Sequence, residues 1–225
     1  MNKSTLGLGA CACALAALAG CGGKAEKITE LGIKLPLAVP TGSSPPAPIL
    51  WRRIATEDDR NRVRLWRTAW VAAVAKARAK GNGPAIDAQG PLFDPDQALP
   101  KPRPPAGRYH CRVFKLGAKG PAARDFNAFP VAECRIENEG TVSSLYRVSG
   151  AQRPIGLLFD DSPERTVFLG TMALGDETKP LDYGVDTSRD MAGFVQRIGD
   201  RRWRLVLPYP HFESMLDVIE LTPAE

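Results

Sequence analysis

Arg197-Ile198-Gly199-Asp200-Arg201-Arg202-Trp203-Arg204-Leu205-Val206-Leu207-Pro208 holds a turn followed by an alternating run, and its reading decides the fold. Gly199-Asp200 has the chemistry of a two-residue hairpin turn. After it, Trp203, Leu205 and Leu207 fall on one side of a period-two strand while Arg202 and Arg204 fall on the other, which predicts one buried face and one wet face. Outward from this hairpin, short β-like runs recur at 108–115, 130–137, 143–149, 153–160, 165–172, 190–198, 201–207 and 215–221. Asn138-Glu139-Gly140, Ser149-Gly150 and Asp161-Ser162-Pro163 punctuate them as turns. The expectation is a mainly β domain over 108–223 with an N-terminal α-helix. Its eight sequential antiparallel strands close into an up-and-down barrel of lipocalin-like pattern, with a β-sandwich as the alternative.

Parity along the strands places two cysteines. Cys111 lies with Tyr109 and Val113, and Cys134 lies with Ala132 and Ile136, so both sulfurs fall on apolar faces as a cross-strand disulfide requires. Closing a loop of ~24 residues restrains the unfolded chain by about 3 to 3.5 kcal/mol. Two cysteines with only His110 and His211 elsewhere match no zinc spacing. Thr166 to Met172 is apolar on both faces, which calls for a cover. That cover is a helix within 50–83: Thr56 with Asp59 three residues later begins it, and Val63, Trp66, Trp70, Val74 and Ala77 follow at three- and four-residue steps. This spacing predicts one amphipathic helix of five to six turns, packed on the barrel through Trp66 and Trp70 and ended by Gly81-Asn82-Gly83-Pro84. Residues 84–107, dense in proline, are expected to cross the surface as extended chain.

At the other end, Leu18-Ala19-Gly20-Cys21 closes an apolar stretch too short to span a bilayer. The four residues resemble the lipobox of bacterial lipoproteins. That resemblance implies a signal peptide over 1–20, lipid attachment at Cys21, and a Gly-, Pro- and Ser-rich tether over 21–49. The membrane is thus an expected partner, through the anchor. Gly22 rather than Asp after the cysteine favours the outer membrane, with the domain facing the periplasm. The whole chain carries 30 Lys+Arg and 25 Asp+Glu, a net charge of +5. Removing the signal takes away only Lys3, which leaves +4. The two signs are mixed along the chain, which argues against a nucleic-acid partner.

No GxSxG elbow, Walker loop, HExxH or CxxC is present, so the specific catalytic signatures fail and no cofactor or metal is implied. Enzyme chemistry would have to come from His211 near Ser214 and Asp217, where a nucleophile and base need proximity. His110 reads as an ordinary strand residue. Asp176, Glu177, Asp182, Asp186 and Asp190 make the most acidic loop, but Lys179 and Arg189 offset it and its spacing fits no cation motif. Asp186, Arg189, Asp190 and His211 are the candidate site residues.

The runs Arg189-Asp190-Met191-Ala192-Gly193-Phe194 and Arg197 to Pro208 extend these signals. Taken with Trp51-Arg52 to Trp70, Cys111 to Gly117, Gln152-Arg153-Pro154 and Leu169-Gly170-Thr171, they resemble family 4893 of the bacterial domains of unknown function, found in exported proteobacterial proteins. The resemblance covers about residues 50–223. It implies an envelope protein and supplies no catalytic residue. The expected function is that of a lipid-anchored, non-enzymatic periplasmic domain that binds a small apolar ligand or an envelope protein. An envelope hydrolase with an unrecognised site and a purely structural interaction module are the alternatives.

Overall fold

The computed structural model describes residues 50–225. Cys21, the signal segment 1–20 and the tether 21–49 lie outside the described residues. Among the described residues nine antiparallel strands follow one another: β1 Gly107–Ala118, β2 Phe126–Ala128, β3 Ala132–Glu139, β4 Val142–Arg147, β5 Gln152–Ser162, β6 Arg165–Leu174, β7 Asp190–Gly199, β8 Arg202–Pro208 and β9 Ser214–Pro223. Each of β3 to β9 pairs with its sequence neighbour, and β9 pairs with β1 from Tyr109↔Pro223 to Ala118↔Ser214. The sheet therefore closes into the expected eight-stranded up-and-down barrel.

The ninth strand, β2, is an addition to that expectation. β1 pairs with β3 over Gly107–Cys111, and its later residues Phe114–Leu116 pair with β2 instead. Three residues carry too little alternation to stand out in a sequence. The hairpin turn is also shifted by one: Gly199 pairs with Arg202, so Asp200-Arg201 make the turn, after an irregularity between Arg197 and Gly199.

Parity sorts the core as expected. Tyr109, Cys111, Cys134, Ile136, Leu145, Leu158, Phe168, Val195, Trp203, Leu205, Ile219 and Leu221 fill the barrel interior. The Cys111–Cys134 disulfide ties β1 to β3 among them, Cα to Cα 5.7 Å. Gly156 and Gly170 sit opposite each other on β5 and β6, where an added Cβ would fall 2.3 Å from Leu169 O or 2.1 Å from Ile155 O. Only glycine permits so close an approach of two strands.

Helices cover the outside, but not as one rod. α1 Trp51–Ile54, α2 Glu57–Arg64 and α3 Trp66–Ala77 are followed by a kink, where Lys80 and Gly81 (φ 82°) leave helical geometry, and by α4 Gly83–Asp87. Thr56 caps α2 as its spacing with Asp59 predicts, accepting a bond from Asp59 N at 3.2 Å. The break at Leu65 corrects the single-helix expectation. Its cause lies in the target surface: α1 and α2 bury Trp51 and Val63 against β5, β6 and β7, whereas α3 buries Trp70, Ala73 and Ala77 against β1, β8 and β9. A straight helix cannot follow that curved wall. Trp70 is 1% exposed while Trp66 is half-buried, edge-on to Trp70 and Phe194.

The outward face of β8 is a second correction. Arg204 is fully buried, not wet. Its guanidinium donates to Leu92 O at 2.9 Å, Asp94 O at 2.6 Å, Gln97 O at 3.0 Å and Gln196 Oε1 at 2.9 Å, and it lies 4.7 Å over the Trp70 ring. The proline-rich segment is thus wrapped around one arginine. It is also partly helical, with a 3₁₀ turn at Gly90–Phe93 that buries Leu92 and Phe93.

Candidate functional site

Up-and-down topology gathers the ends of β1, β4, β6 and β8 and the starts of β5, β7 and β9 at one mouth of the barrel. There the interior opens into a cavity of about 230 Å³. Val113, Phe129, Met172, Met191, Leu207 and Ile219 give it an apolar floor, and Lys115, Arg147, Gln152, Glu213 and Asp217 give it a polar rim.

Register explains why charged side chains point inward. Lys115 continues the inward series Tyr109, Cys111, Val113, and Asp217 precedes the inward pair Ile219 and Leu221; the two face each other across β1 and β9. Lys115, 6% exposed, brings its Nζ to 2.8 Å from Gln152 Oε1, 3.1 Å from Glu213 Oε2 and 3.6 Å from Asp217 Oδ2. Asp217 also accepts a hydrogen bond from Ser214 Oγ. Burial pushes the Asp217 carboxyl up to about 6, against the opposing pull of Lys115 and Ser214. Glu213, in the β8–β9 loop, holds a left-handed backbone (φ 55°), as does Tyr209 (φ 47°). Strained non-glycine residues persist where surrounding contacts over-determine them. Here Lys119 N donates to Glu213 O and Tyr209 N to Met215 O, both at 2.8 Å.

Arg147 enters from β4, opposite Cys134 and on the same inward face. Its Nη1 donates to Gln152 O at 3.2 Å, and its Nε is buried without an acceptor. Desolvation, then the neighbouring Arg153, lowers its pKa.

The residues singled out from sequence gather at the same end of the barrel without forming one site. Asp190 is buried at the start of β7; Gly184 N donates to its Oδ1 at 2.9 Å while its Oδ2 has no partner. Burial raises its pKa. Its backbone carbonyl accepts from Arg62 Nη2 at 3.0 Å, and Arg62 in turn pairs with the buried Asp59. Asp59 also bonds to the Tyr183 hydroxyl, so this cluster clamps α2 to the β6–β7 loop. Arg189 pairs with Glu177 at 2.6 Å and with Asp186 at 3.3 Å. That is the charge neutralisation expected within the acidic loop. Asp186 is held below the usual carboxylate range, first by the Ser188 hydroxyl.

His211 is exposed in the β8–β9 loop and makes no hydrogen bond among the described residues. Ser214 and Asp217 are joined to each other but not to His211, so no nucleophile–base–acid relay is assembled. Among the described residues no group of three or more His, Cys, Asp and Glu is placed to hold a metal ion, and no helix is long and apolar enough to cross a membrane. Sequence reasoning missed Lys115 and Arg147. A cation at an apolar parity position of a strand was the available signal.

A family model described as a domain of unknown function (DUF4893) matches residues 51–221, the helices and the barrel together. No curated protein and no solved structure matches the chain.

Proposed function

The chain belongs to the DUF4893 family, a domain of unknown function, and we propose that it is a membrane-anchored envelope lipoprotein whose barrel binds a small ligand at the mouth cavity. One observation carries the reading: an apolar floor of Met172, Met191, Leu207 and Ile219 beneath convergent polar groups. An apolar pocket with a few placed polar groups is the usual form of a small-molecule site. Its volume, about 230 Å³, lies below that of common drug-sized pockets. It is nonetheless larger than the ~150 Å³ that takes benzene in an engineered cavity. The ligand is therefore small. Attachment through Cys21 holds the barrel on a membrane facing the periplasm, on the outer membrane by the Gly22 argument. The chemistry favours binding over hydrolysis, because Ser214 lacks a histidine partner.

The test is a stability shift with short n-alkanols and n-alkanoates on the wild type and on Leu207→Trp, which fills the floor. Binding to the folded state raises stability with ligand concentration. The reading expects this for the wild type and its loss in the filled variant; equal shifts in both overturn it.

A further inference from the structure

We propose that the ligand of the mouth cavity is a small monoanion, a carboxylate on an apolar body, with the carboxylate held by the Arg147 guanidinium. This rests on the reading of the cavity as a binding site.

The mouth holds an unmatched positive charge. Of the two cations in the cavity lining, Lys115 is already satisfied by the protein and Arg147 is not, and the flanking Arg189 and Arg153 are satisfied too. Lys115 has Glu213, Asp217 and Gln152 around its Nζ. Arg189 has Glu177 and Asp186. Arg153 donates to the carbonyls of Gly150 at 2.8 Å and Glu177 at 2.6 Å, and to that of Gly175.

Arg147 differs from all of them. Among the described residues its guanidinium makes a single hydrogen bond, to the neutral Gln152 carbonyl, and no ion pair there includes it. Its Nε is shut away from water with no acceptor. A half-desolvated cation with one neutral partner is unfavourable, because burying charge without compensation is among the most costly arrangements in a protein. Desolvation accordingly weakens its hold on the proton.

A ligand carboxylate supplies the counter-charge through the Nη groups, since Nε is closed to a ligand oxygen as it is to water. The planar guanidinium offers donors in a fixed fork that matches two carboxylate oxygens. A neutral hydroxyl would leave Arg147 without its counter-charge. Lys115 is not the receptor, because two carboxylates already face it and a third would be repelled. Behind Arg147 the floor of Met172, Met191, Leu207 and Ile219 receives the apolar body. A volume of about 230 Å³ limits that body to a short chain or a single ring.

Calorimetric titration of the full chain with n-hexanoate and with n-hexanol separates this inference from the reading beneath it. The expected result is hexanoate binding at least about tenfold tighter than hexanol, as a charge-assisted pair implies. The preference should vanish in Arg147→Gln and shrink in Arg147→Lys, which keeps the charge without the fork. Equal affinities in the wild type leave the cavity reading standing and overturn the anion. A preference that survives Arg147→Gln and is lost in Lys115→Gln overturns the assignment to Arg147. Failure of both probes to bind overturns the cavity reading and this inference with it.

Discussion

Lys115 and Asp217 face each other across the β1–β9 pairing inside the barrel, with Nζ 3.6 Å from Oδ2. The contact is longer than a hydrogen bond, so Lys115 eases the burial of Asp217 without cancelling it, and the carboxyl is pushed up to about 6. An acid whose folded pKa lies above its unfolded value of 3.8 keeps its proton longer when folded. Stability therefore falls as pH rises through the window from about 4 to about 6, and the full penalty is in place above it.

Asp217→Asn isolates this group from Asp190, whose burial acts in the same direction. Relative to the variant, the wild type should lose about 2 kcal/mol of stability between pH 4.5 and pH 7.5. Urea unfolding of both proteins at the two pH values measures it. A difference independent of pH contradicts the burial of an ionising carboxyl.

Arg204 should be the single most sensitive residue outside the barrel interior. Arg204→Met leaves the buried carbonyl of Leu92 and the part-buried carbonyls of Asp94 and Gln97 without their donor. The loss should be about 3 kcal/mol or more. Limited proteolysis should then cut between residues 91 and 97, and an intact segment in a variant of unchanged stability refutes the account.

The two helical tryptophans should behave differently despite their four-residue spacing. Trp70→Ala removes a fully buried ring and should cost about 3 to 5 kcal/mol. Trp66→Ala removes a half-buried ring and should cost less than half as much. Equal losses by chemical denaturation would show that α3 docks otherwise than through Trp70.

These contrasts mark how far the sequence could be read. Period-two alternation was enough for the eight barrel strands and the inward cysteines, because an inside and an outside are imposed on every strand of a small barrel, but it left closure open between a barrel and a sandwich and could not show the three residues of β2. It could say which face Arg204 occupies. It could not say that the face is covered, since the cover is made of backbone carbonyls from residues 92–97, and carbonyls leave no trace in a sequence pattern. The break at Leu65 was hidden for a similar reason, because helix propensity is local and the curvature of the wall is not. The mouth is partly legible: in the sequence Asp217 stands out only as a neighbour of His211, while its partner Lys115 lies 102 positions away across the register that closes the barrel.

Cys21 carries the anchoring proposal. Cells fed a labelled fatty acid should yield labelled wild-type protein, and Cys21→Ala should carry none. Label retained by the variant overturns attachment at this cysteine.

The central claim is that the mouth cavity binds a small ligand. Met172 and Met191 line its floor, so ¹³C-methyl spectra of methionine-labelled protein report on it directly. Titration with n-hexanoate should shift both methyl signals along a saturable curve, and Leu207→Trp should abolish the response. Signals that stay fixed through the titration, or move alike in the filled variant, would contradict the claim.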